Sequence, residues 1–191
     1  MSKVSLNIIA ATCQNMGIGA NGTLPWRLKK EMVHFYSMTT KVKDSTKINA
    51  VIMGRKTWDS IPGKYRPLNN RVNIVLTRQV DTVKKEAPND VVVLPGLDEA
   101  ISYINGQEDI ESTWVIGGSF VYKAAMEHPN LYKIYLTEIQ KTFKCDTFFP
   151  NIDKQLFQLV DEEGIQKDRQ TEGDIDYYFR VYKRKVSEEF C

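Results

Sequence analysis

Ala50-Val51-Ile52-Met53-Gly54-Arg55-Lys56-Thr57 is the stretch on which the fold turns. Four apolar residues in a row are too few for a helix and dense enough for a strand buried on both faces. The run stops at a glycine, two cations and a hydroxyl. Two other runs end in a comparable way. Val72 to Leu76 leads into Thr77-Arg78, and Trp114-Val115-Ile116 leads into Gly117-Gly118-Ser119, where a helical pattern begins. In an open α/β sheet, ligands bind outside the carboxyl ends of the strands. Two of these exits supply cations and hydroxyls, and the third supplies bare backbone at a helix N-terminus, where free N–H groups and partial positive charge suit phosphate. Loops are polar in any protein, so each exit alone is a weak signal. Three on one edge describe an anion-binding rim for a phosphorylated cofactor.

The remaining elements follow outward from this centre. Leu6 to Ala11 reads as a strand, Leu28 to about Thr40 as a helix, Lys41 to Lys47 as a polar, basic loop, and Val91 to Leu94 as a strand. Helices are expected from Leu97 to about Ile104 and from Ser119 to about Glu127, with a strand over Leu131 to Ile139 between the second and the chain's end. Two final strands, near Phe157–Val160 and Tyr177–Tyr182, have no helical pattern between them and are expected to form an antiparallel edge hairpin. Strands alternating with helices give an α/β fold, a central, mostly parallel twisted sheet with flanking helices. The whole chain, 1–191, is expected to be a single domain.

Composition narrows the function classes. Hydrophobic residues at 42% and charged residues at 26% are ordinary for a globular enzyme. A formal charge of +2, from 26 Lys+Arg and 24 Asp+Glu, is too balanced to call for nucleic acid or a membrane surface as partner. Cys13, Cys145 and Cys191 are far apart without a CxxC, and there are two histidines, so neither a disulfide framework nor a metal site is expected. The first residues carry no signal-peptide pattern and no run is long enough to span a bilayer. A cytoplasmic monomer is the expectation.

Gly17-Ile18-Gly19-Ala20-Asn21-Gly22 matches G-x-G-x-x-G in letters. That fingerprint must open a helix, whereas Leu24-Pro25-Trp26 follows at once and Pro25 pushes Leu24 toward extended geometry. The stretch therefore reads as a mobile loop whose Leu24 and Trp26 can pack on a ligand. Glu31 is the most informative side chain. It falls on the helix face shared by Leu28 and Phe35, with Met38 further along. A carboxylate inside an apolar stripe is costly unless something pairs with it. The competing reading is a glutamate stabilised by the helix N-terminus. The capping-box position, however, is Leu28, which favours an active-site carboxylate.

These residues belong to segments that closely resemble dihydrofolate reductase of the eukaryotic type. They are Gln14 to Gly19 with Leu24-Pro25-Trp26, Val51 to Pro62, Arg66-Pro67-Leu68, Trp114 to Ser119, and Asp146-Thr147-Phe148-Phe149-Pro150. The resemblance implies an NADPH-dependent reduction of dihydrofolate, with antifolates as inhibitors. It places Glu31 under the pterin ring, linked to Thr137 through water, with Trp26 holding an ordered water and Leu24 closing the loop over the site. It implies an apolar slot of Ile9, Ala11, Met32, Phe35, Ile61, Leu68 and Ile116, with Arg71 on the α-carboxylate of the substrate's glutamate tail. For NADPH it implies Ala11, Ile18 and Ile116 about the nicotinamide, Gly54, Lys56 and Thr57 with Gly117, Gly118, Ser119, Phe120, Val121 and Tyr122 about the pyrophosphate, and Arg55, Thr77 and Arg78 about the 2′-phosphate. It also implies a cis peptide between Gly117 and Gly118.

Three positions depart from vertebrate members. The lead-in Trp26 to Glu31 is one residue shorter, Met32 replaces an aromatic residue, and Pro95 replaces an arginine, which leaves Arg55 and Arg78 more of the NADPH discrimination. Two rival readings are a reductase of the same fold acting on a flavin-precursor pyrimidine, and a non-enzymatic scaffold that binds NADPH or a partner. Glu31 with Arg71 favours a pterin bearing a carboxylate tail over the first. Intact Glu31, Trp26 and Thr137 argue against the second.

Overall fold

A computed structural model describes residues 4–186. In chain order the elements are β1 (Leu6–Thr12), β2 (Gly17–Gly19), α1 (Lys29–Thr40), β3 (Ile48–Gly54), α2 (Arg55–Ser60), a 3-10 turn (Gly63–Tyr65), β4 (Arg71–Leu76), α3 (Val80–Glu86), β5 (Val92–Leu94), α4 (Leu97–Asn105), β6 (Ile110–Gly117), α5 (Ser119–Glu127), β7 (Leu131–Ile139), β8 (Thr147–Phe148), β9 (Phe157–Val160), β10 (Gln170–Glu172) and β11 (Ile175–Arg184).

The main sheet runs β10-β11-β7-β1-β6-β3-β4-β5, with β9 also paired to β11. From β7 through β5 every pairing is parallel. β11 runs antiparallel to β7 and carries β10 on its first half and β9 on its second. The expected antiparallel edge is therefore present, but two short strands share it and β11 lies inside the sheet.

Strand alternation divides the core. Leu6, Ile8 and Ala10 of β1 and Ala50 and Ile52 of β3 face a cluster completed by α4 and α5 (Ala100, Ile101, Val121, Ala125). Ile9 of β1 with Val51 and Met53 of β3 face the other side, against Phe35 and Met38 of α1, Trp58 of α2 and Val83 of α3. Helices thus cover both faces, as a parallel sheet requires. Among the described residues no helix is long and apolar enough to cross a membrane.

Several short elements went unread in the sequence: β2, α2, the 3-10 turn, α3, β8 and β10. α3 is amphipathic over fewer than two turns, too short for a periodic signal. The expected loop over 17–22 is partly ordered: β2 pairs antiparallel with β8, Gly17 opposite Phe148 and Gly19 opposite Thr147. Both partners are two- or three-residue strands, so neither has a pattern of its own. The Gly117–Gly118 peptide is cis, as the resemblance implied, and Arg66–Pro67 is cis as well.

Candidate active site

Glu31 sits in the first turn of α1 and is 7% exposed. The helix has no side-chain cap of its own at the N-terminus. Leu28 is its N-cap and makes no side-chain bond, and the last turn has no basic residue. Its ends are held from the sheet instead. At the N-terminus Glu172 of β10 accepts the N–H of Lys29 (2.7 Å) and of Lys30 (3.2 Å). At the C-terminus the Asn49 amide of β3 donates to the carbonyls of Thr39 (3.1 Å) and Lys41 (2.9 Å). Unpaired groups at both helix ends are thereby satisfied by long-range contacts, and these fix where Glu31 points.

It points across three strands. Ala11 of β1, Thr137 of β7 and Phe179 of β11 are register neighbours, and the Thr137 hydroxyl donates to Glu31 Oε1 in a long 3.4 Å contact. No Lys or Arg pairs with Glu31 among the described residues. Burial pushes its carboxyl up to about 7, the Thr137 bond opposes this, and the negative charge of Glu172 adds to it. Trp26 is buried in the same cluster as Cys13, Leu28, Tyr177 and Phe179, and its indole N–H has no protein partner. A carboxyl able to grip the polar edge of a flat heterocycle and an indole N–H free to hold a water are thus both buried. Leu24, expected to close over the site, is 51% exposed.

Arg71, at the start of β4, is 9% exposed. Its Nε donates to the Asn69 carbonyl (2.8 Å) and its Nη1 to the Thr39 hydroxyl (2.9 Å). The guanidinium carbon lies 5.3 Å from the Tyr36 ring centre and 6.0 Å from that of Phe35. Among the described residues no carboxylate pairs with it, and burial lowers its pKa. A buried cation with neutral partners suits an anion brought by a ligand. Phe35, Ile61 and Leu68 are half-buried on the same face of the sheet, and Leu68 is clamped by Asn73, which accepts its N–H at 2.8 Å and donates to its carbonyl at 2.9 Å. Met32 stands exposed on α1. A cavity of about 390 Å³ lined by Tyr36, Thr40, Lys47 and Asn70 adjoins this end.

The three strand exits come together as the sequence pattern required. β6, β3 and β4 are adjacent, with Met53 beside Gly117 and Gly54 beside Leu76. A Cβ placed on Gly54 would lie 3.2 Å from Val121 Cγ2, and one on Gly118 3.2 Å from Thr57 Oγ1, so backbone and hydroxyl crowd together as around a phosphate cradle. Gly117 holds a φ of +129°, which glycine adopts without strain. α5 starts at Ser119 with no side-chain cap. Tyr122 gives its N–H to the Gly118 carbonyl and its hydroxyl to the Ile9 carbonyl. The N–H groups that helix geometry leaves for a phosphate are therefore those of Ser119, Phe120 and Val121. Ile18 and Ile116 are half-buried nearby.

At the outer end Arg55 is already engaged, with Gln79 Oε1 at 2.6 Å, Asp59 at 3.4 Å and Glu86 at 3.7 Å. Arg78 is exposed and has no ion pair among the described residues. The Thr77 hydroxyl accepts the Gln79 N–H at 3.1 Å, and Lys56 is exposed. These residues fit a dinucleotide phosphate carrier. Among the described residues no three His, Cys, Asp or Glu are placed to hold a metal ion.

Sequence reading missed Glu172, Asn49 and Thr39, which position the site without lining it. The one available signal was negative: a helix opening on Leu28 has no cap of its own and must obtain one from elsewhere.

The family model described as dihydrofolate reductase matches residues 5–184. A dihydrofolate reductase of Heliothis virescens is 71% identical over 184 residues, covering 96% of this chain and all of the relative. One of Gallus gallus is 46% identical over 188 residues, covering 95% and 97%. Among solved structures, the Schistosoma mansoni dihydrofolate reductase superposes with a TM-score of 0.84 at 37% identity, covering 96% of this chain and all of that one. On these matches, the chain belongs to the dihydrofolate reductase family.

Proposed function

We propose that this enzyme reduces 7,8-dihydrofolate to 5,6,7,8-tetrahydrofolate with NADPH, supplying one-carbon and thymidylate metabolism, and works as a cytoplasmic monomer. The observation that carries the reading is the buried, cation-free carboxyl of Glu31, held among the described residues by the Thr137 hydroxyl alone, on a helix whose lead-in carries the unpartnered Trp26 indole N–H. NADPH, when bound, supplies a hydride to pterin C6, and N5 takes a proton.

The chain's own residues orient and shield. Glu31 grips the 2-amino group and N3 of the pterin, so one ring face is presented to the nicotinamide. Trp26 donates to an ordered water, and Leu24 closes the 17–24 segment to limit bulk solvent. Glu31 polarises the ring instead of delivering its proton directly, and a water passing Leu24 protonates N5. Arg71 pairs with the α-carboxylate of the glutamate tail. Ser119, Phe120 and Val121 donate N–H bonds to the pyrophosphate, and Arg78 meets the 2′-phosphate.

Loss of nicotinamide near-ultraviolet absorbance on adding dihydrofolate to enzyme and NADPH tests the activity. No loss with dihydrofolate, or loss with a flavin-precursor pyrimidine instead, would overturn it.

A further inference from the structure

Two cysteines unused by this chemistry lie side by side at the root of the loop that carries Leu24. Cys13 directly follows β1 and is 2% exposed, whereas Cys145 precedes β8 and is half-buried. Their Sγ atoms are 3.8 Å apart across 132 residues of chain. The segments that carry them are laced together. Cys13 N–H bonds to the Gly17 carbonyl at 3.0 Å, Asp146 N–H to the Gly19 carbonyl at 3.0 Å, and Phe149 N–H to the Met16 carbonyl at 2.8 Å. A Cβ at Gly17 would fall 2.3 Å from Cys145 Sγ and 2.9 Å from Cys13 Sγ. Both sulfurs therefore converge on a glycine, and no side chain separates them. A disulfide needs about 2.0 Å between sulfurs, so the two Sγ atoms must approach by less than the width of one atom.

The geometry points to Cys13 and Cys145 as a site of reversible two-electron oxidation, a thiol pair that closes to a disulfide, fastens β2 against β8 and slows turnover. The oxidant is of the hydroperoxide class. The partly exposed Cys145 sulfur, as thiolate, attacks one peroxide oxygen. The O–O bond breaks, and the departing hydroxide takes up the thiol's proton as water, leaving Cys145 as a sulfenic acid. Cys13 sulfur then attacks the Cys145 sulfur, an S–S bond forms, the S–O bond breaks, and the hydroxyl leaves with the Cys13 proton as a second water. One peroxide is reduced to two waters and the two thiols lose two hydrogens. A small dithiol reverses the step by exchange. Burial and the adjacent Cys13 push the Cys145 thiol above its ordinary pKa, so only a minor fraction of it is thiolate at neutral pH. The crosslink acts on function because β2 lies between Cys13 and Leu24, so a bond at its root restrains the segment that must open for ligand exchange.

The test uses the full chain bearing Cys191→Ser, which removes the third thiol, treated with hydrogen peroxide and digested without reductant. The expected result is a mass loss of about 2 Da, a Cys13–Cys145 linked peptide, a several-fold fall in kcat that dithiothreitol restores, and no such fall when Cys145→Ser is added. Failure to find the linked peptide overturns the site. A linked protein with unchanged kcat overturns its control of turnover, as does equal inactivation of the Cys145→Ser variant.

Discussion

Glu172 Oε1 accepts the Lys29 N–H at 2.7 Å, two positions before Glu31, so a half-exposed carboxylate on β10 caps the helix that carries the site's buried carboxyl. The same Glu172 accepts the buried Tyr177 hydroxyl at 2.7 Å. Its removal costs a helix cap and leaves a hydroxyl unpaired. Glu172→Ala is expected to destabilise the protein by about 2 kcal/mol in urea unfolding. Glu172→Gln, which keeps an acceptor and removes the charge, is expected to shift the Glu31 titration to lower pH, because the Glu172 charge raises it. An unmoved titration would show that the two carboxyls do not sense each other.

Glu31 makes the free enzyme less stable as pH rises. Burial carries its pKa from 4.5 to about 7. The folded state thus holds a proton that the unfolded chain releases first, and this contribution is complete below pH 4.5 and lost as pH rises toward 7. The change corresponds to at most about 3 kcal/mol. Glu31→Gln should match the wild type in urea unfolding at pH 4.5 and exceed it at pH 8. His34, pushed down to about 4 by burial, has the opposite dependence, but it is common to both proteins and cancels. A stability gap that widens toward acid would contradict the burial argument.

Arg71, buried and without a carboxylate partner among the described residues, is proposed to recognise a carboxylate tail. Arg71→Ala should raise the KM for dihydrofolate roughly 10- to 100-fold, the worth of a charged hydrogen bond, with kcat little changed. A dihydropterin without the glutamate should show no such increase. Equal effects on both substrates would place Arg71 in the fold alone.

Arg78, exposed and without an ion pair among the described residues, is the better placed of the two outer arginines, since Arg55 is held by Gln79, Asp59 and Glu86. Arg78→Ala should weaken NADPH by at least tenfold and leave NADH nearly unchanged, an effect of about 1.4 kcal/mol or more. Equal losses, read by equilibrium titration of each nucleotide, would remove Arg78 from the 2′-phosphate.

Much of this was written locally in the chain. Each buried strand of the parallel sheet announces itself as an apolar run, and the residues after Met53, Leu76 and Ile116 place cations, hydroxyls and bare backbone at three adjacent exits, the pattern expected of an anion rim. Glu31 was legible for the same reason, as a charge where the helical period demands an apolar residue. What could not be read is tertiary. Glu172 and Asn49 hold α1 from 143 and 10 residues away, and a glutamate in a polar stretch or an asparagine beside a strand has no spacing that reveals its partner. β2 and β8 are likewise too short to show alternation and exist because they meet. The resemblance to a known family supplied the roles that pattern alone leaves open, such as that of Arg71.

The most direct test is hydride transfer from NADPH to dihydrofolate, followed in single turnovers and as kcat/KM from pH 5 to 9 in the wild type and in Glu31→Gln. Burial raises the Glu31 carboxyl to about 7 in the free enzyme, so the pH profile of kcat/KM for dihydrofolate, which reports the free enzyme, is predicted to bend near pH 7. Hydride transfer in the variant is predicted to be slower by on the order of 10²-fold or more, and its kcat/KM profile to have lost that bend. A Glu31→Gln enzyme that transfers hydride at the full wild-type rate across this range would contradict it.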